Sequence, residues 1–296
     1  MASSAQASSP LMRQRRRAGA LFTLPATVFV LLLLGVPIVQ AFYYSFTKWD
    51  GITAIWVGPQ TYVTELHNPI FWRVLQNNVL LLLAVPVAIG IPLAIAFLLN
   101  QRVWGWQVFR SVYFLPTAIS WVVIGMVSLR FFAQQGMLNQ LLSDVGLGFI
   151  QTDLLSTERG ALLAVALTFI WSMVGTNTII FLTGMATLDP SLHEAAHVDG
   201  ASNWQIFVHV TLPQLRRFIQ FALVITVIYA FTALFSLIFV MTGGGPGYGT
   251  TTLEFFVYQT GFAQGAFGTG ALLGVILFAI MAVIGIIQIR LLRSVD

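Results

Sequence analysis

The strongest constraint on this chain is where its charges are missing. Residues 21–47, 74–101, 111–129, 160–188, 218–253 and 255–289 contain no Asp, Glu, Lys or Arg. A helix of roughly 20 apolar residues crosses a bilayer, so each run is long enough, or nearly so, to span one. Only 8% of the 296 residues are charged and 57% are hydrophobic, whereas soluble domains carry about 25% charged residues. The spacing predicts an all-α, polytopic membrane protein with six transmembrane helices near 20–45, 74–99, 111–132, 160–185, 218–241 and 267–291. Gly243 to Gly247 end the fifth, because glycine and proline do not extend a helix cheaply. Pro86 and Pro92 are expected to kink the second. The stretch 136–147 reads as a short amphipathic helix at the interface.

Basic residues set the orientation. Arg13, Arg15, Arg16 and Arg17 precede the first run. Arg102 and Arg110 lie between the second and third, Arg216 and Arg217 before the fifth, and Arg290 and Arg293 at the end. With six alternating spans these segments share one side, leaving Lys48, Arg73 and Arg159 on the other. Both termini are therefore expected to be cytoplasmic. Residues 1–19 read as a disordered basic tail and 20–296 as the transmembrane domain. The first run imitates a secretory signal, but it outlasts a signal core and is followed by bulky Phe42-Tyr43-Tyr44. There is no cysteine, hence no thiolate metal site or nucleophile. No basic stripe interleaved with aromatics supports nucleic-acid binding.

The segment 189–215 supports two opposed readings. His193-Glu194-Ala195-Ala196-His197 matches a helical zinc-peptidase signature, but zinc needs a third ligand. His67 lies across the membrane, leaving His209, Asp189 and Asp199. In the other frame Asp189 caps a helix with Pro190 in its first position, and Ser191 and Glu194 compete as a capping box. Gly200 ends that helix in the left-handed conformation, residues 201–210 form a second, and Pro213 stops it. Small Ala195, Ala196 and Ala201 then allow a partner to approach closely.

Read in that frame, Glu194-Ala195-Ala196, Asp199-Gly200-Ala201, Phe207 and Leu212-Pro213 resemble the EAA loop of permease subunits of ABC importers. Arg217 stands where many members have a second proline. Thr242, Gly244-Gly245-Pro246, Thr250, Tyr258 and Gly261-Phe262 are similar to the segment between the last two helices of carbohydrate-importer permeases of the maltose, glycerol-3-phosphate and lactose type. The resemblance covers the chain from about residue 20 onward. It implies that the loop is a coupling helix seated in an ATPase subunit. It also implies a second related permease, an ATPase dimer, an extracytoplasmic solute-binding protein, and a sugar or sugar derivative as cargo. The setting it implies is a bacterial inner membrane. No cofactor is expected on this chain, ATP and magnesium belonging to the ATPase. Independently, Lys48 is the sole lysine and follows no Gly-x-x-x-x-Gly, so no phosphate cradle of that kind can form.

For the path, Thr226, Tyr229, Thr232 and Ser236 recur at helical spacing on the fifth run, with Trp171 and Asn177 on the fourth. An aromatic ring and hydroxyl or amide groups suit a sugar. The same residues also serve as glue between helices or bond back to the preceding turn. A secondary transporter would instead show inverted repeats and polar breaks, and neither is visible.

Overall fold

A computed structural model of the chain describes residues 10–101, 106–150 and 153–293. Helix α1 (Pro10–Val30) passes through a π turn (Leu31–Gly35) into α2 (Val36–Tyr44). A small antiparallel hairpin follows, β1 (Thr47–Trp49) paired with β2 (Ala54–Trp56) in the register Thr47 to Trp56. Next come α3 (Gln60–Leu66), α4 (Pro69–Leu82), α5 (Val85–Asn100), α6 (Trp106–Ala118), α7 (Trp121–Phe132) and α8 (Met137–Asp144). The second half contains α9 (Glu158–Met185), α10 (Pro190–Val198), α11 (Asn203–Ile206), α12 (Leu212–Gln214), α13 (Arg216–Thr232), α14 (Leu234–Met241), α15 (Leu253–Tyr258) and α16 (Phe267–Arg293).

Among the described residues, five helical stretches are long and apolar enough to cross a membrane: Leu21–Tyr44, Pro69–Asn100, Trp121–Asp144, Glu158–Met185 and Phe267–Arg290. A sixth arises if Asn203–Gln214 and Arg216–Thr232, bent by 69° at Leu215, count as one. The fold is thus all-α and polytopic in character. Several boundaries differ from expectation. Helix α1 starts at Pro10, within the segment expected to be a disordered tail, while residues 1–9 lie outside the described residues. Leu11 to Arg17 are mostly good helix formers, so the helix extends back from the apolar run.

The segments expected to be the third and fifth spans are each in two helical pieces. Ser120 ends the α6–α7 break by accepting the Val123 N–H at 3.4 Å. The α13–α14 break falls at Ala233, with φ −116° and ψ −6°. In the second span Pro86 sits in the first turn of α5, where its missing N–H costs nothing, so the break falls just before it at Leu83 and Ala84. Pro92 is carried inside α5.

The core centres on α9, whose Ala164, Val165 and Phe169 are fully buried. It packs on α5, α6 and α13. Gly175 permits a close approach to α6: a Cβ there would lie 2.7 Å from the Tyr113 carbonyl. Asn177, fully buried, donates to the Ala88 carbonyl of α5 at 2.7 Å and to the Thr226 hydroxyl of α13 at 3.1 Å. One amide thereby ties three helices together. At the other end of α9, Glu158 pairs with Arg73 of α4.

Candidate coupling loop and path-lining residues

The first half of the 189–215 loop is a presented helix. Asp189 is its N-cap, accepting the Ser191 N–H at 3.0 Å, and Pro190 follows in the first turn. The backbone and side-chain bonds from Ser191 hold this exposed carboxyl below its ordinary pKa. The cap is therefore intact at neutral pH and is lost as pH falls through that lowered value. Ser191 and Glu194 do not form the alternative capping box, because Asp189 already occupies the cap.

The helix ends in a Schellman motif. The Ala201 N–H reaches the Ala196 carbonyl at 3.0 Å, and the Gly200 N–H reaches His197 at 3.0 Å. Gly200 has φ +81°, the conformation that favours glycine. Asp199, Gly200 and Ala201 are thus three consecutive positions of one helix stop. Glu194 and Ala195 are exposed and Ala196 is half-buried. Leu192 and Val198 are exposed as well, Val198 at 87%. Sequence reasoning missed these two apolar side chains, since an isolated apolar residue on a short helix carries no periodic signal.

The second half is anchored rather than presented. Ser202 and Gln205 make a reciprocal capping box that starts α11. Phe207 is buried and packs tilted against Phe97 of α5 with ring centroids 4.3 Å apart. The helix expected over 201–210 forms over Asn203–Gln214, but Pro213 does not stop it. The chain instead makes a π turn over Phe207–Thr211, with Leu212 N–H bonded to the Phe207 carbonyl, and α12 carries Pro213 on to Gln214. The wide turn moves the carbonyls clear of the pyrrolidine ring, so the proline is accommodated rather than helix-breaking. The same device precedes Pro37, where Val36 N–H bonds to Leu31. The sharp bend comes later, at Leu215, which is fully buried.

For the zinc reading, no cluster of three His, Asp or Glu side chains that could hold a metal occurs among the described residues. The His193 side chain lies outside them.

The proposed path residues do not share one pocket. Asn177 and Thr226 face each other inside the core. Trp171 is 39% exposed and lines a cavity of about 400 Å³ with Thr168, Ser128 and Phe131. Tyr229 is 37% exposed and lies 6.2 Å from the Trp121 ring. Thr232, one turn on, is exposed and bonds back to the Ile228 carbonyl at 2.8 Å. Ser236 is half-buried beyond the break. The single face expected to run from Thr226 to Ser236 is therefore divided: Thr226 turns inward, and Ala233 interrupts the rest. Sequence reasoning also set Glu254 between two spans and left the embedded part uncharged. The structure folds that carboxylate back onto α14, where it accepts the Phe235 N–H at 3.1 Å.

Residues 87–296 match the family described as the binding-protein-dependent transport system inner membrane component. The chain belongs to this family. A probable ABC transporter permease of Pyrococcus horikoshii is 34% identical over 268 residues, covering 89% of this chain and 91% of its own. The multiple sugar-binding transport system permease MsmF of Streptococcus mutans is 31% identical over 88% of this chain and 90% of its own. A crystal structure of a bacterial ABC transporter involved in import of the acidic polysaccharide alginate contains a chain with the same fold. It superposes with TM-score 0.83 at 22% identity, over 96% of this chain and 98% of that one. The permease is thus a transport subunit of an ABC importer and not itself an enzyme.

Proposed function

We propose that this permease forms half of the translocation path for a sugar or sugar derivative in a bacterial cytoplasmic membrane. In this reading it crosses the membrane six times with both termini inside. It works with a second related permease, an ATPase dimer that binds ATP and magnesium, and an extracytoplasmic solute-binding protein. The observation that carries the reading is the presented helix α10, capped at both ends, with Glu194, Ala195 and Ala196 on it and the following segment anchored to the core through Phe207. A short rigid helix on a braced base transmits displacement, whereas a loose loop absorbs it. The cargo class is supported by the names of relatives, among them the sugar-binding system of Streptococcus mutans and an arabinooligosaccharide permease of Bacillus subtilis that is 29% identical over 96% of this chain.

Vesicles containing the assembled importer test it. ATP-dependent uptake of labelled oligosaccharides is expected, and Glu194→Lys is expected to abolish uptake while the permease still inserts. Normal uptake and normal transport-stimulated ATP hydrolysis in that variant would overturn the assignment of α10. Absence of ATP-dependent uptake across a panel of mono- and oligosaccharides would overturn the cargo class.

A further inference from the structure

Across residues 218–289 Glu254 is the one Asp, Glu, Lys or Arg. A carboxylate in so apolar a stretch is costly to bury unless it is bonded. It sits among the buried residues Leu253, Phe255 and Phe256 of α15, and one of its oxygens holds the Phe235 N–H. That N–H belongs to the first turn of α14, where backbone donors have no partner within the helix. Nothing at the break itself supplies one: the cap position is Ala233, which has no polar side chain. The outer half of the fifth span is thus capped from a different segment.

That segment is braced. Asn77 of α4 donates to the carbonyls of Tyr248 and Thr251 at 2.7 and 2.9 Å. Asn78 accepts the Leu253 N–H at 2.8 Å. The rings of Phe255 and Tyr258 then pack on Phe235 with centroids 5.8 and 5.1 Å away. Helix α14 leans on α7 and α15, whereas α13 leans on α5 and α9. The two pieces of the fifth span therefore lean mainly on different neighbours.

We infer that Glu254 is a positioning residue: by holding the Phe235 N–H it fixes where Ser236 on α14 lies relative to Tyr229 and Thr232 across the break at Ala233. The inference rests on the reading of those three residues as path-lining. The role requires an acceptor oxygen at the right reach and does not require charge.

Three substitutions separate the possibilities in the assembled importer. Glu254→Gln keeps an acceptor oxygen at the same reach. Glu254→Met keeps the length without the acceptor, and Glu254→Asp keeps the charge but falls one methylene short. Each is combined with Ser236→Cys, in a chain with no other cysteine, and read by maleimide labelling rate; uptake KM and Vmax are measured without the cysteine. The Gln variant is expected to match the parent in both readouts. The Met and Asp variants are expected to raise labelling rate and KM by about fivefold with Vmax little changed, the signature of lost binding geometry. If Met does not assemble, Asp carries the comparison. A Gln variant as impaired as Met overturns the inference, as does parental labelling in both Met and Asp. A labelling change with KM unaltered overturns instead the path-lining reading of this face.

Discussion

At the scale of single residues, the structure separates side chains that looked equivalent in the sequence. Asn177 and Tyr229 were both candidates for the path. Asn177, however, spends its amide on Ala88 and Thr226 with no surface exposed. Asn177→Leu should therefore cost about 1–3 kcal/mol by stranding the Ala88 carbonyl, whose helical donor would be Pro92, while Thr226 keeps its bond to the Ala222 carbonyl. It would be read as a lower melting temperature of the purified complex with sugar preference unchanged. Tyr229→Ala should do the reverse, reducing uptake or altering the accepted sugars at normal abundance. Gly200 offers a third case. A Cβ there meets nothing within 4 Å, so Gly200→Val is penalised by its backbone conformation alone, about 1–2 kcal/mol or more for a branched residue at positive φ. The loss should fall on the stop of α10, measured as transport-stimulated ATP hydrolysis that drops while complex yield holds.

At the scale of elements, Phe207 is the fastening of the 189–215 loop, and its removal should detach α11 from α5. Phe207→Ala is expected to destabilise by about 3 kcal/mol, as buried Phe truncations do, and to increase proteolytic cleavage within 189–215. The two halves of this loop show what a sequence can and cannot convey. Asp189, Pro190 and Gly200 announced their helix because capping and positive φ depend on local chemistry, and each of those local rules was met. Pro213 misled because a proline signals that a bond is missing, not where the chain absorbs the defect; here a π turn five residues wide does so. The same limit applies to Tyr229 and Ser236. Their spacing assumed one straight helix, whereas the helix breaks at Ala233 and α14 is capped there by Glu254, 19 residues downstream of the Phe235 N–H it holds and not visible to periodicity. The two halves of the third span escaped notice for a related reason, since Ser120 is an unremarkable letter until it caps.

At the scale of the whole molecule, the arginine bias predicts which side each loop faces. With no native cysteine, Ile52→Cys at the hairpin tip, 92% exposed, should react with impermeant maleimide from outside intact cells. Asn203→Cys within the 189–215 loop should react only after the membrane is opened, and labelling of Asn203→Cys from outside would reverse the orientation inferred from the arginines. The five to six apolar helices do not contribute equally to the interior. In Leu21–Tyr44 none of the apolar window is buried within the chain, whereas half of that in Glu158–Met185 is. The first helix meets α16 through α2, with Phe42 edge-on to Phe278 at 6.1 Å. Its long apolar flank is consequently a guest of the solvent rather than of the fold. Whatever surrounds that flank, an acyl chain in the membrane or a surfactant tail in a purified sample, does the wetting that neighbouring side chains do for α9. The choice of amphiphile thus decides the company this helix keeps.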